Sequence, residues 1–256
     1  MTGLVHLDLD AAVASITIDN PEKRNSFDMK MMRQLRDVAG IIADNRDIRV
    51  VLIRGGGEQV FCAGGDFDAM TEADNILDSV NAMEDMLDQA VAAIALIEVP
   101  VVAAIRGACL GGGVQLAMTA DIRIAADDLK LGIPAVSLGL VYPVDAVTKI
   151  ITLSGPSTAK HLLIGGAPYD AATAYAKRLV DEVVPAEQLL EHATVFAERI
   201  AKYPPDTVRT YKRIIDDYTA GTEIGAIEEI RSRANRAGEL IDRLAQVHRE
   251  RRQKAS

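Results

Sequence analysis

The chain has 256 residues, 49% of them apolar, and a formal net charge of −9. That length and apolar share allow one large core or two small ones. The acidic balance argues against a nucleic-acid-binding domain, which needs a basic surface. Cys62 and Cys109, the only cysteines, give neither a disulfide framework nor a zinc spacing, so reduced thiols in a cytoplasmic protein are expected.

Residues 1–6 show no basic region followed by an apolar stretch, so no signal peptide is expected. Apolar runs are broken well short of the ~20 residues of a membrane helix. Residues 13–18 are rich in β-branched side chains and predict a strand. Asp28 is a plausible N-cap for a helix to about residue 43, with Leu35, Val38, Ile41 and Ile42 as its apolar stripe. A strand at 50–53 precedes a glycine turn, a long helix spans 75–97, and Pro100 leads into a strand at 101–105. A second glycine turn follows. Strands alternating with helices predict an α/β fold with a parallel-rich sheet. Beyond about residue 143 the pattern becomes helical, with helices predicted at 145–153, 156–163, 170–179, 185–202, 205–218 and 222–252. Pro156 and Pro205 stand where a first helical turn tolerates proline. The expected organisation is an αβ core over 1–195 and a helical extension over 196–256.

The two turns are Phe61-Cys62-Ala63-Gly64-Gly65-Asp66 and Gly111-Gly112-Gly113-Val114-Gln115-Leu116-Ala117. Each follows a short apolar strand and leads toward a helix. One backbone N–H from each, aimed at one point, would form a two-donor oxyanion hole that stabilises charge on a carbonyl oxygen. Neither glycine run fits the G-x-G-x-x-G spacing or the Lys-Ser/Thr of a P-loop. With the segments Ile16-Thr17-Ile18-Asp19-Asn20-Pro21-Glu22-Lys23-Arg24-Asn25, Asp121-Ile122-Arg123-Ile124 and Leu131-Gly132-Ile133-Pro134, these turns resemble the crotonase (enoyl-CoA hydratase/isomerase) superfamily, in family order from about Ile16 to Val184.

The resemblance implies a spiral of β-β-α units with a helical C-terminal trimerisation extension, the trimers often pairing into hexamers. It implies an oxyanion hole from the N–H groups of Gly65 and Gly112. The bend at Lys23 and Arg24 would contact the CoA nucleotide, with Ala63 beside the adenine, and Gly64, Asp66 and Ala135 would complete the substrate-binding set. Against these readings stand surface charge for Lys23 and Arg24, and a helix cap for Asp66. No metal is implied, and no cofactor beyond the coenzyme A of the substrate itself.

The same comparison shows a departure. Hydratases of the family use two glutamates, and the matching positions here are Gln115 and Ala135. Glutamine has a donor and an acceptor but does not titrate, and a lost general acid or base typically costs ~10²- to 10⁴-fold in rate. Substitutes are sought in Leu140-Val141-Tyr142-Pro143-Val144-Asp145. Tyr142 matches a tyrosine of a methylmalonyl-CoA decarboxylase that also lacks both glutamates, or else it packs in the pocket wall. Asp145 is two residues from the aspartate of some relatives and reads first as the N-cap of the next helix. Asp68, Glu72 and Asp74 after the first turn read first as solvated acids, with a carboxylate lent to the site as the alternative. Arg249, Arg251, Arg252 and Lys254 read as a solvated helix end or a contact to a neighbour's CoA phosphate. Three functions are open: hydration of 2-enoyl-CoA by a lyase of this family, decarboxylation of an acyl-CoA using Tyr142, and acyl-CoA binding without chemistry.

Overall fold

The computed structural model describes residues 3–71, 74–236, 244 and 247–249. Residues 4–19 fold into an antiparallel pair, β1 (Leu4–Asp10) and β2 (Val13–Asp19). β1 was not read from the sequence, although Val5, Leu7 and Leu9 alternate with His6, Asp8 and Asp10 as a strand with one exposed face does. From β2 onward the pairing is parallel: β3 (Val50–Gly55), β5 (Val101–Ile105), β7 (Ile122–Ala126) and β10 (Glu182–Val184) extend a six-stranded sheet in the order β1-β2-β3-β5-β7-β10. Every residue of β5 and the first four of β3 are buried. Continuous Val/Ile/Ala runs of this kind are what a strand covered on both faces requires.

Short strands build a second sheet, in the order β4 (Val60–Cys62), β6 (Ala108–Leu110), β8 (Lys130–Gly132) and β9 (Tyr169–Asp170). In three successive units the chain passes through one strand of each sheet before a helix. β3 and β4 lead to α2 (Phe67–Thr71) and α3 (Ile76–Ala95), and β5 and β6 lead to α4 (Gly112–Thr119). β7 and β8 lead through a 3-10 turn at Pro134–Leu138 to α5 (Val144–Gly165). This is the expected succession of β-β-α units.

Local chemistry starts the helices where the sequence marks them. Asp28 caps α1 (Met29–Asp44) by accepting from Met31 N at 2.8 Å, and Asn75 caps α3 by accepting from Asp78 N. The buried stripe of α1 is Met31, Met32, Leu35, Val38, Ala39 and Ile42. Ile41, expected in that stripe, is 53% exposed. At ~100° per residue it stands about 240° round from Leu35, on the far side from the stripe. Inside α5 the backbone leaves helical geometry at Gly155 (φ 81°, ψ 163°), just before Pro156, so the stretch holds two successive helices, as expected. Asp145 is not its N-cap: Pro143 holds that position and Asp145 lies exposed in the first turn. Asp170 caps α6 (Ala171–Ala176), which is shorter than expected because Lys177 and Arg178 leave the helix, Arg178 at φ 61°.

The chain divides into two compact units, with the boundary between Glu198 and Arg199, inside α7 (Leu189–Ala201). The first holds both sheets and a core that includes Phe27, Phe61, Ile16, Ile18, Leu116 and Met118, all fully buried. In the second, α8 (Pro205–Thr219) packs on α9 (Ile224–Arg236). α8 buries no side chain completely, and Tyr211, Ile215 and Tyr218 are exposed along it. Of the helix expected over 222–252, α9 is described over Ile224–Arg236, and residues 244 and 247–249 are also helical; of the tail cations only Arg249 is described. Arg251, Arg252, Lys254 and Glu72 lie outside the described residues. None of the described helices is long and apolar enough to cross a membrane.

Candidate active site

The glycine turns leave adjacent parallel strands. β4 pairs with β6, Cys62 opposite Cys109, so both chains emerge side by side and bend at the same level. Gly111 turns with φ 47° and ψ −118°, a conformation open to glycine alone. The turns then touch: a methyl on Gly64 would lie 3.7 Å from Gly112 N, and one on Gly112 would lie 3.8 Å from Gly65 N. Around them Phe27 N donates to Gly64 O, Asp66 N to Phe27 O, Gly111 N to Gly132 O, and Val114 N and Gln115 N to Gly111 O. Among the described residues no backbone acceptor takes the N–H of Gly65 or of Gly112. Gly112 is also the first residue of α4, where the helix dipole adds positive character to its N–H.

The bend at residues 20–27 is laced to the first turn. Ala63 N donates to Arg24 O at 3.1 Å, and Lys23 Nζ donates to both carboxylate oxygens of Asp66, at 2.7 and 2.8 Å. Asp66 also accepts from Ala69 N, so it caps α2 as the sequence suggested. The hydrogen bond from Lys23 to Asp66 holds the lysine's pKa above its ordinary value. Arg24 (φ 54°) and Asn25 (φ 58°) take left-handed backbone geometry. Asn25 holds this bend from inside. It is 2% exposed, accepts from Asn20 N and donates to Gly56 O and Val60 O. The Asn25 amide was missed in the sequence; a polar residue between Arg24 and the strand-like Phe27 carries no signal of its three distant partners.

On the other side, Gln115 lies buried on α4 and its Nε2 donates to Asp88 Oδ1 of α3 at 2.5 Å. Asp88 is exposed. The sequence reading did not single out Asp88. A buried amide needs an acceptor from whatever packs against it, but which helix that is cannot be read from the chain. Tyr142 donates its hydroxyl to Gly111 O at 2.8 Å, and burial pushes the phenol well above its ordinary range, with Cys109 the next cause. Burial also pushes the Cys62 thiol up to about 12 and the Cys109 thiol well above its ordinary value. Both cysteines are therefore inert packing groups.

The structure thus brings Lys23, Arg24, Ala63, Gly64, Gly65 and Asp66 into one laced segment, and sets Gly112, Gln115 and Tyr142 against it through Gly111. Ala135 is half-buried in the 3-10 turn after β8, its carbonyl accepting from Leu140 N. Asp145 is exposed, and no described hydrogen bond joins it to the glycine turns, Gln115 or Tyr142. A cavity of about 360 Å³, lined by Arg54, Val60, Phe61, Arg106, Glu187 and Leu190 among others, holds none of the candidate catalytic or substrate-binding residues. Among the described residues no three His, Cys, Asp or Glu side chains converge as a metal site would need.

Comparison with known proteins agrees with this architecture. The family model described as "Enoyl-CoA hydratase/isomerase" matches residues 8–242. The chain belongs to the enoyl-CoA hydratase/isomerase family. Within that family it is 30% identical over 212 residues to the short-chain-enoyl-CoA hydratase of Clostridium acetobutylicum, covering 83% of this chain and 80% of that one. It is 31% identical over 234 residues to the carnitinyl-CoA dehydratase of Proteus mirabilis, covering 90% and 85%. The crystal structure of an enoyl-CoA hydratase from Bacillus anthracis superposes with a TM-score of 0.87 at 28% identity, covering 96% of each chain. The hydratase/isomerase fold is therefore the fold of this chain.

Proposed function

We propose that this chain is an acyl-CoA enzyme of the hydratase type, adding water to a 2-enoyl-CoA. The observation that carries the reading is the pair of unengaged N–H groups, Gly65 and Gly112, on turns in contact. A thioester carbonyl held between them would gain stabilisation as its oxygen takes up enolate charge, a term worth ~3–4 kcal/mol per donor in well-organised holes. The bend with Lys23, Arg24 and Ala63 would receive the CoA nucleotide, and Gly64, Asp66 and Ala135 would shape the thioester pocket. The coenzyme A of the substrate would be the only organic cofactor. The names of the relatives, enoyl-CoA hydratase and carnitinyl-CoA dehydratase, support additions and eliminations of water.

Decarboxylation would use the same hole with Tyr142 as proton donor. The bond from the Tyr142 hydroxyl to Gly111 O favours instead a role in fixing the second turn, and hydration is the preferred reading. Its test is turnover of crotonyl-CoA by the purified protein, followed as loss of absorbance of the conjugated thioester. Loss of absorbance well above the buffer rate is expected. Absorbance that stays at the buffer rate while crotonyl-CoA binds would overturn hydration and favour the binding role.

A further inference from the structure

The hydration reading leaves a chemical gap, because Gln115 and Ala135 cannot exchange a proton. We propose that Asp88 is the catalytic carboxylate of this site, held at the reacting carbons by the amide of Gln115. The inference rests on the acyl-CoA reading of the two-glycine hole. Three placements carry it. Gln115 is buried and donates from Nε2 to Asp88 Oδ1 at 2.5 Å. It stands three residues after Gly112 on α4, about one helical turn or ~4.5 Å along the axis from the oxyanion donor. The preceding residue of α3, Leu87, packs directly on Gly112: a methyl there would meet the end of the Leu87 side chain at 2.7 Å. α3 is thus seated against the hole, and its Asp88 is exposed where a substrate could reach it.

One carboxylate suffices for the proton balance. Water adds its oxygen to Cβ as Asp88 takes one of its protons. The C=C electron pair moves through Cα to the thioester oxygen, between the N–H groups of Gly65 and Gly112. The enolate then collapses, and its Cα takes the proton from Asp88. Water is added across the double bond and the carboxylate is restored. Gln115 acts here as a positioning residue, its amide occupying one carboxylate oxygen and leaving the other for the proton.

The test separates this inference from hydration itself. Exchange of the α-hydrogens of butyryl-CoA in D₂O needs the hole and a base but no double bond and no added water. Mass spectrometry of butyryl-CoA would follow it for the wild type, Asp88→Asn, Gln115→Leu and the control Asp85→Asn, which changes an exposed acid on the same helix. Circular dichroism and butyryl-CoA titration would check folding and binding. Exchange by the wild type is expected, falling ~10²- to 10⁴-fold in Asp88→Asn with unchanged butyryl-CoA affinity. For Gln115→Leu the saturating rate should fall while the half-saturating concentration stays. Asp85→Asn should match the wild type. Absence of exchange in the wild type, or equal exchange in folded Asp88→Asn, would overturn the assignment. Exchange that depends on Asp88 in a protein that fails to hydrate crotonyl-CoA would sustain Asp88 and sink only the hydration reading.

Discussion

Gly113 and Gly112 are neighbours with opposite tolerances. A methyl on Gly113 would lie 2.5 Å from Cys62 O and 2.9 Å from Cys62 Cβ, in the strand that carries the other turn. A methyl on Gly112 meets first the mobile end of Leu87. Gly113→Ala should therefore push the two turns apart and cost about 1–3 kcal/mol, as overpacking of a filled interior does. Gly112→Ala should cost less stability. Chemical denaturation of both variants gives the comparison, and equal losses would mean the strands yield more readily than this packing implies. At this scale much was legible in the sequence: both glycine turns and the capping role of Asp66 stand where they were expected. The partner of Gln115 was not. Asp88 is 27 positions away in sequence, and nothing in either segment states which helix faces which. Lys23 and Asp66, 43 positions apart, were each noticed singly, and only folding joins them.

Among elements, α3 gathers three acids, Glu84, Asp85 and Asp88, within about one turn. Glu84 sits one turn before Asp88, and its carboxyl is held above the usual carboxylate range by partial burial first, then by Asp88 and Asp85. The native protein therefore binds this proton more tightly than the unfolded chain does. The corresponding stability is complete below the unfolded value of about 4.3 and is lost as pH rises through the native value. Glu84→Gln, neutral at every pH, should raise the melting temperature slightly at pH 7 and make no difference near pH 4. Thermal melts at the two pH values check the sign, and a destabilised variant at pH 7 would refute it. Helix starts were the readable part of this level: Asp28, Asn75 and Asp170 each accept the backbone N–H that an N-cap should. Short strands such as β4, β6 and β8 were not. Three residues carry no usable periodicity, and these strands exist because the neighbouring ladders call for them.

For the molecule as a whole, one exposed apolar stripe lies in the C-terminal unit. Tyr211, Ile215 and Tyr218 follow one another at helical spacing on α8, each about 60% exposed or more (65%, 59% and 64%). Exposed apolar side chains aligned on one helix face are what an interface would use, and the trimer or dimer of trimers that the family resemblance implies would cover them. Light scattering should give three or six times 27.5 kDa, and Tyr211→Glu with Ile215→Glu should lower the mass. A 27.5 kDa particle for the unaltered protein would refute the assembly. The composition of the sequence spoke for a helical extension, but the amount of it left uncovered appears only when α8 and α9 are folded together.

The donors proposed for the thioester oxygen are main-chain atoms on turns that leave the paired strands β4 and β6. No side-chain substitution at 115, 135 or 142 removes either donor. A lineage with this skeleton is thus free to change its acid–base equipment one residue at a time while a reactive enolate remains sheltered at every step. Loss of the usual glutamates would then be a change of tools on an intact bench, and the replacement could arise on any neighbouring element that reaches the same carbons.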